Sequence, residues 1–151
     1  MLQLFAVYFF LPHLLGPIPR MTSTLIAFTL NYAAYFAEIY RGGILSINKG
    51  QYEAGKVLGF SSTQTFFRII LPQVVKRVVL PISNEVITLV KDTSLATAIA
   101  VSELYLVAKN ATSASASVEP LFIAGAFYLV MNMFLTVLFS RIMKKLDYYQ
   151  G

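Results

Sequence analysis

The 151-residue chain has no cysteine, which excludes a disulfide framework and a thiolate metal site and leaves the redox compartment open. It has a single histidine, His13, and seven acidic residues that do not cluster, so the donor pattern of a metal centre is missing. No glycine-rich phosphate-binding loop occurs. Charge is scarce altogether, at 13% of residues against roughly 25% in ordinary soluble domains. The net charge of +5 is spread between long apolar runs, not gathered in a basic stripe, which excludes nucleic acid as a partner.

Apolar residues fill the space, at 57% of the chain with a mean hydropathy of +0.67. So short a chain cannot use that much apolar surface in its own core, and the excess is expected to face lipid. The fold class expected is all-α, a polytopic helical bundle with about three full spanning helices plus the end of another.

Leu2 to Leu15 is apolar and aromatic but too short to span alone, since about 20 residues are needed. It lacks the basic start and small-residue cleavage site of a signal peptide and reads as the end of a helix. "GPIPR", Gly16 to Arg20, is a breaker. Met21 to Ala37 carries no charge and gives one spanning candidate. Arg41, Lys49, Lys56, Arg68, Lys76 and Arg77 follow, half of the basic residues, and the positive-inside rule places them in the cytoplasm. The next apolar run, Val78 to Val90, extends back through Leu71 to Val75 and on through Ser94 to Val101. "KNATSASASVEP", Lys109 to Pro120, has the small, polar composition of an outside loop. Leu121 to Phe139 is a further charge-free span, and the basic "RIMKK" after it returns the C-terminus to the cytoplasm.

Between the first two spans lies "GQYEAGKVLGFSSTQTFFRIILPQ", Gly50 to Gln73. Asn48 with Gln51, and Ser61 with Gln64, have the spacing of capping boxes. Gly59 is a natural helix stop. The spacing predicts a short helix over Lys49 to Leu58 and a second from Ser61, which Pro72 kinks or ends. A helix so short needs docking to persist. From spacing alone, a solvated interfacial loop and a docking element are both open.

The segment resembles the EAA loop of permease subunits in ATP-binding-cassette importers. That motif runs Glu-Ala-Ala, three residues, Gly, nine residues, then Ile-x-Leu-Pro. Here Glu53, Ala54 and Gly55 are followed at the same spacing by Gly59 and by Ile69, Leu71 and Pro72, with Gly55 as the one departure. A glycine there should loosen the helix by up to about 1 kcal/mol. "AEIYRGGILSI", "LPQVVKRVVLPISNEVITLVKDTSLATAI" and "SELYLVA" look like the polar amino-acid branch of that family. The resemblance implies a type I ABC importer permease fold: one permease domain over 1–151, with 49–72 as its cytoplasmic coupling region. "LQLFAVYFFLP" resembles the end of the second family helix, so the chain is expected to be incomplete at its N-terminus.

The resemblance further implies a multi-pass subunit of the bacterial inner membrane that catalyses no covalent step. Its partners would be ABC ATPase subunits holding ATP and Mg, a second permease subunit as homo- or heterodimer, and an extracytoplasmic amino-acid-binding protein, with lipid around it. This chain itself would hold no cofactor. Rival readings are a truncated, non-transporting remnant and a secondary transporter independent of ATP.

Asn84, Glu85, Thr88, Lys91 and Asp92 sit in or near the third apolar region, and Thr93 and Ser94 follow. An intramembrane charge costs roughly 2.5–3.5 kcal/mol, so this stripe should face protein or water. It is either a translocation-path lining that meets the ammonium and carboxylate of an amino acid, or polar packing between helices. Glu38 with Arg41 reads as an interfacial ion pair, Asn31 as a bond to a neighbouring helix, and Glu103 as a loop carboxylate or gate contact.

Overall fold

The computed structural model describes residues 1–146, and among them the regular structure is entirely helical. Helix α1 is Leu2–Leu15 and α2 is Arg20–Leu45, joined at an angle of 115° across the proline-containing break. Two short helices follow, α3 over Lys49–Val57 and α4 over Ser62–Thr65. A π-helical turn, Phe66–Ile70, leads directly into α5, Leu71–Asp92. A 3-10 segment, Thr93–Ile99, extends α5, and then come α6, Leu104–Ser115, and α7, Glu119–Leu146. The last five residues, among them the C-terminus expected in the cytoplasm, lie outside the described residues.

Among the described residues only α7 is by itself long and apolar enough to cross a membrane, while α1 and α2 meet that criterion only when taken together across their bend. Helices α2 and α5 have the length, at 26 and 22 residues, but not the hydropathy. Thr22, Ser23, Thr24 and Asn31 dilute α2, and the charged and amide side chains of α5 do the same there. Ser23 and Thr24 are buried within the protein, as polar residues on membrane helices should be.

The chain divides into two compact units. Residues 1–33 and 86–136 form the first, with a core of Leu4, Ala27, Ala96, Ile99 and Val101, against which Phe5, Val7 and Tyr8 pack. Residues 34–85 and the chain from Val137 onward form the second. Its core is Ile47, Ile70, Val74 and Val78, flanked by Ile39, Tyr52, Phe66, Ile69 and Ile82.

Four local expectations are corrected. Lys109 to Pro120 is not a loop, since α6 runs to Ser115. The carboxylate of Glu103 caps its start, alanine favours helix, and Ser113 and Ser115 donate to the carbonyls of Lys109 and Ala111 four residues back. The third apolar run is not one helix through Val101, because α5 gives way to 3-10 geometry at Thr93 and stops at Ala100, left-handed with φ 55°. Asn48 caps α3 by accepting from the Gly50 amide at 2.8 Å, but the reciprocal bond from Gln51 is replaced by one from the Gln73 amide group to Gln51, 3.2 Å. Pro72 does not end the helix. The Leu71 amide reaches back five residues to the Phe66 carbonyl, and this wider turn places Pro72 at the second position of α5, where its missing N–H does least harm.

Gly55 is buried, and a Cβ there would stand 2.6 Å from both Cγ2 and Oγ1 of Thr65. The departure from the Glu-Ala-Ala pattern therefore makes room for α4. Gly55→Ala should destabilise the protein by about 1–3 kcal/mol despite its better helix propensity. Gly55→Ala/Thr65→Ala, which returns the volume, should recover most of that loss in a thermal melt of the detergent-solubilised chain.

Candidate functional site

The second unit presents the motif segment. Helix α3 is closed at its end by two reverse bonds, Gly59 N–H to the Lys56 carbonyl and Phe60 N–H to the Gly55 carbonyl, both 3.0 Å. Gly59 makes this geometry possible at φ +76°. Ser61 and Gln64 form a complete capping box that starts α4. Gln73 donates to the Ile69 carbonyl at 2.9 Å as well as to Gln51, so α5 is tied back to α3.

Seven motif positions thereby sort into two groups. Glu53, Ala54, Gly59 and Pro72 are exposed, whereas Gly55 is buried and Ile69 and Leu71 are half-buried. Between Glu53 and Gly59 the outward surface is completed by Val57, 87% exposed, and Leu58, 69% exposed. An apolar pair left so open on a short, doubly capped helix suits contact with another protein. The deepest anchor is Ile70, with no exposed surface. It occupies the unspecified position of Ile-x-Leu-Pro, and its spacing of four to Val74 and of eight to Val78 is the helical core signal that marks it.

The polar stripe falls partly in each unit, with Asn84 and Glu85 in the second and Thr88, Lys91, Asp92, Thr93 and Ser94 in the first. Asn84, Thr88, Lys91 and Thr93 are exposed, while Glu85, Asp92 and Ser94 are half-buried. Asp92 accepts a hydrogen bond from the Tyr32 hydroxyl at 2.8 Å, which joins α2 to the end of α5. Lys91 and Asp92 thus have different surroundings, as neighbouring helical positions must. Thr93 and Ser94 donate to the carbonyls of Val90 and Lys91, both 2.7 Å. Tyr32, beside Asn31, makes the interhelical bond, and the signal for it was a mid-span phenol whose hydroxyl needs a partner.

Glu103 gathers three elements. Its carboxylate accepts from the Tyr105 and Leu106 amides at 2.7 and 2.6 Å, from the Thr97 hydroxyl in the 3-10 segment, and from the Tyr128 hydroxyl of α7 at 3.2 Å. It is therefore not a plain loop carboxylate. Glu38 and Arg41 form the expected ion pair, with Arg41 Nε donating to Glu38 at 2.9 Å. The hydrogen bond and charge of Arg41 hold the Glu38 carboxyl below its usual value of 4.5. The pair contributes above that pH and is lost as pH falls through the lowered value; being fully exposed, it contributes little to stability at neutral pH.

Among the described residues the motif helix thus stands, capped and with an open apolar edge, in an all-helical frame that has one helix long and apolar enough to cross a membrane. The family model described as "Binding-protein-dependent transport system inner membrane component" matches residues 1–148, and the chain belongs to that family. It is 38% identical to the L-cystine transport system permease protein TcyB of Bacillus subtilis, over 99% of this chain and 64% of that protein. It is 40% identical to the arginine transport system permease protein ArtQ of the same species, over 96% and 67%. Against the octopine transport system permease protein OccM of Rhizobium radiobacter, identity is 44% over 76% and 47%. The chain thus spans from about half to two thirds of the length of these curated relatives. A crystal structure of an amino acid ABC transporter with histidines has the same fold, at TM-score 0.85 and 30% identity, over 95% of this chain and 68% of that one.

Glu103→Ala should remove the cap of α6 and strand the Thr97 and Tyr128 hydroxyls, lowering stability by about 2–4 kcal/mol. Glu103→Gln, which keeps one acceptor, should lose about half as much. Hydrogen exchange at the Tyr105 and Leu106 amides checks this directly, with faster exchange in the alanine variant.

Proposed function

We propose that this chain is the permease subunit of an ATP-driven importer of a polar amino acid or a related solute. Substrate delivered by an extracytoplasmic binding protein crosses by alternating access between this subunit and a second permease subunit, identical or related. ATP and Mg are held by separate ATPase subunits, and the chain itself catalyses no covalent step. The carrying observation is the outward face of α3, where Glu53, Ala54, Val57 and Leu58 stand exposed while Gly55, Ile69 and Ile70 anchor the helix from behind. A lever needs that division: one face for the ATPase and a rigid attachment to a long helix. The attachment runs through Ile70 into α5, which ends at Lys91 and Asp92 and is followed by Thr93 and Ser94 of the 3-10 segment. In this reading those residues, with Asn84, Glu85 and Thr88, line the translocation path. The segment 49–72 and the basic end of α7 face the cytoplasm, consistent with the positive-inside rule.

The names of the relatives supply the substrate panel: cystine, arginine, glutamine and octopine. Reconstitution of the full chain with its neighbouring ATPase and binding protein should give ATP-dependent uptake of at least one of them. Uptake that follows an ion gradient and ignores loss of the ATPase would overturn the reading.

Leu58→Asp should abolish co-purification of the ATPase without reducing membrane insertion. Lys91→Ala should reduce uptake while the ATPase still co-purifies, and unchanged uptake kinetics would remove Lys91 from the path.

A further inference from the structure

Helix α2 has no charge of its own at its C-terminal end. Its last turn holds no basic residue, and Arg41, just before that turn, is paired with Glu38. The final carbonyls of a helix find no partner within it, and the partial negative charge there favours a cation. Arg77 of α5 supplies that cation by donating to the carbonyl of Ser46, directly after α2 ends at Leu45. The cap of one long helix thus comes from another, within the second unit.

The two helices also approach closely at the same place. Gly43 is buried, and a Cβ there would stand 2.3 Å from Cγ1 of Val78 and 3.4 Å from Cγ1 of Val74. Ile47 joins Val74 and Val78 in the core of the unit, and the Ser46 hydroxyl donates to the Gly43 carbonyl at 2.7 Å. Val78 inside and Arg77 on the surface are neighbours in sequence, so an apolar contact and a polar bond hold one joint. Ser46, Ile47 and Asn48 are the whole connection between α2 and α3. A displacement of α3 reaches α5 through the π turn and α2 through this connection. Were the end of α2 free to slide along α5, the movement would be lost in those residues. Arg77 fixes the first of them to α5.

We propose that Arg77 is a positioning residue for coupling: by tethering Ser46 to α5 it makes the end of α2 and the start of α5 move together when α3 is displaced. The inference rests on the importer reading above and names the residue through which movement of α3 is shared between two long helices. A cap that only stabilised α2 would matter for assembly and not for the solute taken up per ATP.

The chain has no cysteine, so spin labels can be placed one by one. Leu45→Cys/Leu80→Cys puts one label at the end of α2 and one on α5, both at exposed positions. Electron paramagnetic resonance of the labelled full chain in detergent should give one narrow distance. Arg77→Gln should lower the ratio of tethered to untethered populations by about fivefold, the equivalent of one hydrogen bond. Arg68→Gln, which removes the same charge from the π turn, should leave that ratio unchanged. In the complex reconstituted with its ATPase and binding protein, Arg77→Gln should keep ATPase co-purification and ATP hydrolysis while uptake per ATP falls severalfold. Arg77→Lys, which keeps a cationic donor, should restore most of it. Arg77 is exposed, so its loss leaves no buried gap. Unchanged distances or unchanged uptake per ATP in Arg77→Gln overturn the assignment. Uptake, hydrolysis and co-purification lost in proportion overturn it too, since that is the mark of a cap alone. Failure of the unaltered complex to take up solute with ATP overturns the importer reading and with it the coupling role, while the spin-label distances still decide the tether.

Discussion

The complete burial of Ile70 is the constraint on which the second unit depends. Ile70, Val74 and Val78 form one apolar row that Ile47 covers from the turn between α2 and α3, and Tyr52 from α3. A helix of nine residues such as α3 is marginal by its own hydrogen bonds. Its persistence comes from Tyr52 against this row, from Gln51 held by Gln73, and from Gly55 seated against Thr65. Because the interior side is so fully engaged, Val57 and Leu58 are left outside.

The first unit is organised differently, by carboxylates. Asp92 and Glu103 stand on either side of the 3-10 segment and bond to Tyr32 and to Thr97 and Tyr128. The segment between them has 3-10 geometry and ends in a left-handed alanine that costs conformational energy. Ala96 and Ile99 sink into the core from that segment, so the polar bonds flank apolar contacts. A deviation from α geometry within a membrane helix is tolerable only where protein satisfies the freed backbone groups.

Much of this was legible in residue order, and the failures share one physical cause. Gly59, the Ser61–Gln64 box and the spacing from Glu53 to Pro72 are local signals, and local structure follows them. The Asn48–Gln51 box has the same local signal but not the same outcome, because Gln73, 22 residues away, competes for the Gln51 side chain. Tyr32 and Asp92 are 60 positions apart, and no pattern in either neighbourhood names the other. The serine-rich stretch before α7 has a composition suited to loop or helix alike, and the cap at Glu103 decides for helix. Ile70 holds the unspecified position of the Ile-x-Leu-Pro pattern, and its burial follows from the helical spacing to Val74 and Val78 and not from the motif.

The π turn at Phe66–Ile70 has a further consequence, one of phase. Relative to an unbroken α-helix it inserts one extra residue, which rotates all of α5 beyond it by about 100° at 3.6 residues per turn. The angular bearing of Val74, Val78 and Ile82 is therefore set just before them, at the foot of the helix. The same irregularity that seats Pro72 thus decides which side of α5 meets Ile47 and Tyr52.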